Sequence, residues 1–145
     1  MSAPLLEVQD LHKHFEVGSP GLFGGQREVL RAVDGVSFEL ARGETLGLVG
    51  ESGCGKSTCA RTLVGLYPPT SGRVMYEGEE ISNLSHRDRA PFRRKIQMIF
   101  QDPYASLDPR QTVSSILTEP LRIHRLARPR ERRLRAMQLL DAVGL

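Results

Sequence analysis

Gly50-Glu51-Ser52-Gly53-Cys54-Gly55-Lys56-Ser57 has the form G-x-x-x-x-G-K-[ST], and it offers one kind of chemistry: a grip on phosphate. Glycines at 50, 53 and 55 let the main chain take conformations closed to other residues and turn its N–H groups onto an anion. With the intervening Glu51, Ser52 and Cys54 they form a candidate polyphosphate cradle. Lys56 adds a point charge suited to β- and γ-phosphate oxygens, the Ser57 hydroxyl suits Mg2+, and Thr58 lies one residue deeper, within reach of an α-phosphate. A helix starting at Lys56 would bring its partial positive charge to the same place.

Such a loop is expected between a strand and a helix. Thr45-Leu46-Gly47-Leu48-Val49 runs apolar as a buried strand should, and Lys56 to Leu66 carries a helical stripe of Cys59, Ala60, Leu63, Val64 and Leu66 that Pro68-Pro69 ends. Around this unit the pattern predicts a half-buried strand over Leu5–Leu11, a glycine-rich loop from Gly18 to Gly25, a strand over Val36–Leu40 and a turn at Ala41–Glu44. Gly72 then starts a turn, Val74–Tyr76 is a short strand before Glu77-Gly78, and Ile96–Phe100 is a stronger strand that stops at Asp102-Pro103. From Thr112 the period is helical, with Val113, Ile116 and Leu117 before a break at Pro120. Leu134, Met137, Leu139, Leu140 and Val143 mark a last helix. No internal repeat is visible.

The 145 residues are 39% hydrophobic and 26% charged, which excludes collagen-like and wholly disordered chains. No apolar run approaches the roughly 20 residues of a spanning helix, and the first fifteen residues place acids and histidines where a signal peptide keeps its apolar stretch. The expectation is a chain on the cytosolic side. Cys54 and Cys59 have no partners at metal-site spacing and suit a reducing compartment, Cys59 as a buried apolar residue. The net charge of +3 is uneven: residues 1–72 hold 6 basic and 8 acidic groups, residues 73–145 hold 14 and 9. Seven arginines between Arg122 and Arg135 invite a nucleic-acid reading, but residues 120–145 contain no aromatic on which a base could stack. A solvated helix face near an anionic surface fits better, and Arg87, Arg89, Arg93, Arg94 and Lys95 read as a second charged face.

The runs LGLVGESGCGKST, Tyr67-Pro68-Pro69-Thr70-Ser71-Gly72 and MIFQDPYASLDPRQTV resemble an ABC transporter ATP-binding subunit over nearly the whole chain. Phe38 to Gly43, Gly21-Leu22-Phe23-Gly24 and Ala105-Ser106-Leu107-Asp108-Pro109-Arg110 resemble in particular its oligopeptide and dipeptide importer branch. The resemblance implies an α/β fold, a P-loop NTPase of ABC type that is incomplete. Residues 1–110 would form the amino-terminal β subdomain and P-loop core, and residues 111–145 the start of the helical subdomain. It implies ATP and Mg2+ as cofactors, Phe15 stacked on adenine, and Lys56 and Gln101 as catalytic residues. Gln101 would stand as the Q-loop glutamine, its carboxamide oxygen able to reach Mg2+, beside the Ser57 ligand, or the attacking water.

The implied partners are integral-membrane transporter subunits and a second ATP-binding subunit, in a homo- or heterodimer at the cytoplasmic face of a bacterial inner membrane. No nucleic acid is expected. The family also uses an Asp-Glu pair after an apolar strand, an L-S-G-G-Q helix start and a later histidine, none of which occurs in these 145 residues. His12, His14, His86 and His124 read instead as surface residues. The expectation is therefore an amino-terminal fragment that holds the phosphate-binding half and does not turn over alone. Rival readings are a soluble ABC-type or P-loop NTPase without a membrane partner, and a non-catalytic nucleotide-binding or nucleic-acid-binding fragment.

Overall fold

The computed structural model describes residues 3–18, 28–101 and 107–145, and the chain divides into two compact units, residues 1–98 and 99–145. The first is built on two long strands, β1 (Leu6–Val17) and β2 (Glu28–Leu40), with β3 (Ser71–Tyr76) and the short β4 (Glu79–Glu80) completing an antiparallel sheet in the order β2-β1-β3-β4. β1 pairs with β2 from Leu6↔Leu40 to Val17↔Glu28, and with β3 from Leu6↔Tyr76 to His12↔Ser71. Val8 and Leu11 are three apart yet both buried, against the period of two that a regular strand imposes. A register shift between them, where Asp10 takes φ +46°, restores the inward face.

Helix α1 (Lys56–Leu63) packs on β1 and β2 and buries Cys59 among Val8, Leu11, Val33, Val74, Ile81 and Phe92. Each such aliphatic side chain taken out of water contributes about 1.5–3 kcal/mol, so this cluster holds the loop before α1 in place. Burial also pushes the Cys59 thiol pKa up. Helix α1 ends at Leu63, three residues before the apolar stripe does, because Gly65 N–H bonds Thr62 O and Leu66 N–H bonds Arg61 O, a Schellman closure.

The expected strands at Leu5–Leu11, Val36–Leu40 and Val74–Tyr76 all form. The expected turn at Ala41–Glu44 forms too, closed by Glu44 N–H to Ala41 O. Two other expected strands do not form. Thr45–Val49 and Ile96–Phe100 join no ladder among the described residues, and Val49 and Ile99 are 93% and 97% exposed. An apolar run becomes a strand only where neighbouring strands satisfy its N–H and C=O groups, and among the described residues neither segment pairs with one. Gly72, expected to start a turn, is the second residue of β3, where a Cβ would meet Asp10 O at 2.2 Å.

Three readings of charged residues also change. His12 and His14 are not simple surface residues, their side chains being 21% and 23% exposed beside Asp34. Arg89 leaves its supposed solvated face to donate to Ile81 O and Ser82 O, both at 2.8 Å, and desolvation lowers its pKa. Lys95, last residue of α2 (Phe92–Lys95), pairs with Glu77 in the β3–β4 turn.

The second unit is a pair of packed helices, α3 (Val113–Ile123) and α4 (Pro129–Asp141), which bury Leu121 and Ala136. Thr112 caps α3 by accepting the Ser115 N–H, and Glu131 accepts the Arg128 N–H at the start of α4. Pro120 does not break the helix as expected. It removes one N–H from the ladder, but Leu121 beyond it is buried, and that burial keeps the last turn helical. Residues 102–106, with the Asp102-Pro103 stop, and nearly all of the Gly18–Gly25 loop lie outside the described residues.

Candidate functional site

The run from Gly50 to Ser57 forms a tight exposed loop that feeds α1, and its geometry begins with Gly55. This residue is the N-cap of the helix at φ +95°, and a Cβ on it would lie 2.0 Å from the Ala32 carbonyl oxygen of β2. Only glycine combines that left-handed conformation with so close an approach. The sheet thus presses the loop against its own backbone.

Lys56 follows at once, and its ammonium turns back over the loop. Nζ donates to Gly50 O at 2.7 Å and to Glu51 O at 2.6 Å, and lies 3.4 Å from Cys54 Sγ. The Cys54 N–H closes the turn onto Glu51 O at 3.3 Å. A Cβ at position 50 would meet Cys54 Sγ at 2.5 Å and come within 4.0 Å of Lys56 Nζ, so a larger residue there would fill the space around the ammonium.

The head of α1 is electrostatically prepared for an anion. It has no side-chain cap hydrogen bond and no acidic residue in its first turn, so neither a side-chain cap nor a carboxylate competes for the first N–H groups. Ser57 is exposed there, and Thr58, partly buried behind it, accepts the Thr62 hydroxyl through its carbonyl at 2.8 Å. A lysine ammonium, uncapped helix N–H groups and a hydroxyl are the donor set that a nucleotide polyphosphate with Mg2+ requires.

The structure brings together Gly50, Glu51, Ser52, Gly53, Cys54, Gly55, Lys56, Ser57 and Thr58 in this one loop and helix start. Phe15 lies in the outer half of β1, half-buried. Its ring meets Tyr67 edge-on at a centroid distance of 5.5 Å, and Lys13 Nζ stands 4.9 Å from its centroid. Gln101 is exposed and belongs to the second unit. Sequence reasoning missed the Ala32 carbonyl as the surface against which the loop rests and the Gly50 and Glu51 carbonyls as acceptors for Lys56. An alanine in a strand carries no signal of such a role, since the contact is made by its backbone.

The sequence profile of the ABC transporter family matches residues 33–145. The chain is 53% identical over 144 residues to the oligopeptide transport ATP-binding protein AppF of Bacillus subtilis (strain 168), a match covering 97% of this chain and 43% of that protein. It is 44% identical over 145 residues to the dipeptide transport ATP-binding protein DppF of Escherichia coli (strain K12), covering 100% of this chain and 43% of that one. The chain therefore spans less than half the length of these relatives. Among solved structures, a dimeric post-hydrolysis state of the ATP-binding cassette MJ0796 bound to ADP and Pi superposes with a TM-score of 0.76 at 26% identity, covering 97% of this chain and 57% of that one. Loop, helix and sheet agree with that likeness, and the chain belongs to the ABC transporter family.

Proposed function

We propose that this chain is the nucleotide-gripping part of the ATPase subunit of a peptide importer. The observation that carries the reading is the Lys56 ammonium held over the glycine loop at an uncapped helix start. Relatives named for oligopeptide and dipeptide transport support the substrate class. ATP with Mg2+ is the ligand. Lys56 and the loop N–H groups, from Gly50 through Thr58, hold the phosphates, the Ser57 hydroxyl would be a ligand of the metal, and Gln101 keeps the Q-loop role that its place in the sequence implies. Mg2+, when bound, would supply neutralisation of the polyphosphate charge. Phe15 offers a ring face for adenine.

The partners are integral-membrane subunits and a second ATP-binding subunit, and the place of work is the inner face of a bacterial membrane. The solved cassette is named as dimeric, which supports the pairing of ATP-binding subunits. These 145 residues by themselves supply binding rather than turnover, because no acid pair ends an apolar run to orient a water.

Calorimetric titration with Mg-ATP tests the reading. Lys56→Ala removes a charge-assisted hydrogen bond of about 1.5–3 kcal/mol and should weaken binding about ten- to a hundredfold, with the circular dichroism spectrum unchanged. The exposed Cys54 thiol gives a second readout: maleimide should modify it, and Mg-ATP should protect it. Equal affinity in Lys56→Ala, together with equal labelling in the presence and absence of nucleotide, overturns the assignment.

A further inference from the structure

Away from the phosphate loop, β1 and β2 bring together three groups that share no motif in the sequence. His12 Nδ1 lies 2.9 Å from Asp34 Oδ1, and His14 Nε2 lies 3.2 Å from the same oxygen. The donor atoms of His12, His14 and Asp34 all fall within 4.8 Å of one another. Ligand atoms of a tetrahedral zinc ion, bonded at about 2.0–2.2 Å, are spaced about 3.3–3.6 Å apart, so opening the two His–Asp34 contacts by tenths of an ångström and closing the two imidazoles by at most about 1.4 Å would admit an ion. We propose that His12, His14 and Asp34 form a binding site for a divalent transition ion of the zinc type, two imidazoles and one carboxylate leaving a fourth position for water.

The backbone builds this arrangement on purpose-made irregularities. His12 pairs with Asp34, but Leu11 pairs with Val36, so Gly35 is an extra residue in β2, at φ +80°. Such a bulge re-aims the side chain beside it, here Asp34. A Cβ at position 35 would come 3.3 Å from Asp10 Oδ1 and 3.6 Å from His12 Cε1, so the bulge needs a residue without one. A second shift, between Lys13 and His14, sets His14 opposite Arg31.

Outer groups orient the donors. Asp10 Oδ1 stands 3.1 Å from His12 Nε2, fixing the ring so that Nδ1 is the atom turned to Asp34. A carboxylate on the far nitrogen of a ligating imidazole is a recurrent partner in metal sites and raises the basicity of the ligand. Arg31 Nη1 lies 3.6 Å from Asp34 Oδ2 and leaves Oδ1 to the two imidazoles. Two nitrogens and one oxygen suit zinc, cobalt or nickel, while magnesium and calcium prefer all-oxygen sets.

The test is a titration of the full chain with Zn2+ against a chromophoric chelator, with Cys54→Ser as the background so that its exposed thiol takes no part. Imidazole nitrogens are followed by 15N NMR on the same samples. One ion per chain is expected, with the resonances of His12 Nδ1 and His14 Nε2 moving and those of His86 and His124 fixed. His14→Gln and Asp34→Asn should each weaken binding at least about tenfold. Imidazole nitrogens of His12 and His14 that stay fixed at saturating Zn2+ overturn the proposal without any ligand variant having to fold. Zinc affinity unchanged in both variants overturns it as well, and leaves the cluster as an ion-pair network between two strands.

Discussion

At position 55 a methyl group would press on the Ala32 carbonyl oxygen, and its backbone would be held at φ +95°. Gly55→Ala should therefore lose about 2–4 kcal/mol, from a left-handed conformation and a close contact together. Gly43→Ala is the control, having φ +80° but nothing within 4 Å, and should lose only about 1–2 kcal/mol. Urea midpoints at an unchanged m-value measure the difference. Single residues of this kind were the most legible part of the sequence. The spacing of Gly50, Gly55, Lys56 and Ser57 states its chemistry without help from tertiary structure, because consecutive residues form the whole loop. Asp34 was illegible for the opposite reason: its neighbours His12 and His14 lie about twenty positions away and meet it through a bulge that no periodicity announces.

Elements show where a one-dimensional reading stops. α1, α3 and α4 were visible in their apolar period, since a helix closes its own hydrogen bonds. Strand formation depends on a neighbour, so the apolar runs at Thr45–Val49 and Ile96–Phe100 promised strands that the described residues do not pair. Pro120 misled in the other direction, because local propensity gave a break where tertiary burial of Leu121 kept a helix. Within α3 the start matters more than the proline. Thr112 Oγ1 takes the Ser115 N–H at 3.2 Å, and Thr112→Ala should cost about 1 kcal/mol. The expected result is a lower far-ultraviolet helical signal and an earlier melt of α3, while Thr112→Ser should retain most of the cap.

For the whole molecule, acid is the informative stress. Glu77 occupies the first position of a two-residue hairpin turn at φ +51°, followed by Gly78 at φ +80°, and it pairs with Lys95 at 2.8 Å and with Arg42. Hydrogen bonds from Lys95 and then Arg42 hold its pKa below the ordinary glutamate range. A carboxylate lowered on folding stabilises above its unfolded pKa, and that stabilisation fades as pH falls through the folded one. Melting temperatures of the wild type and Glu77→Gln should therefore differ at neutral pH and converge in acid below the usual glutamate range. High salt should narrow the gap, since the groups are largely exposed. A gap that persists in acid would assign the effect to packing instead. The sheet itself sets the order in which such stress is felt. From Leu6 to Val8 both edges of β1 are taken, by β2 and β3, whereas from Lys13 to Val17 its ladder among the described residues runs to β2 alone. The strand should thus act as a zipper with its pull at Val17: peeling would start there, reach His14 early, and be arrested at His12, which is paired on both edges.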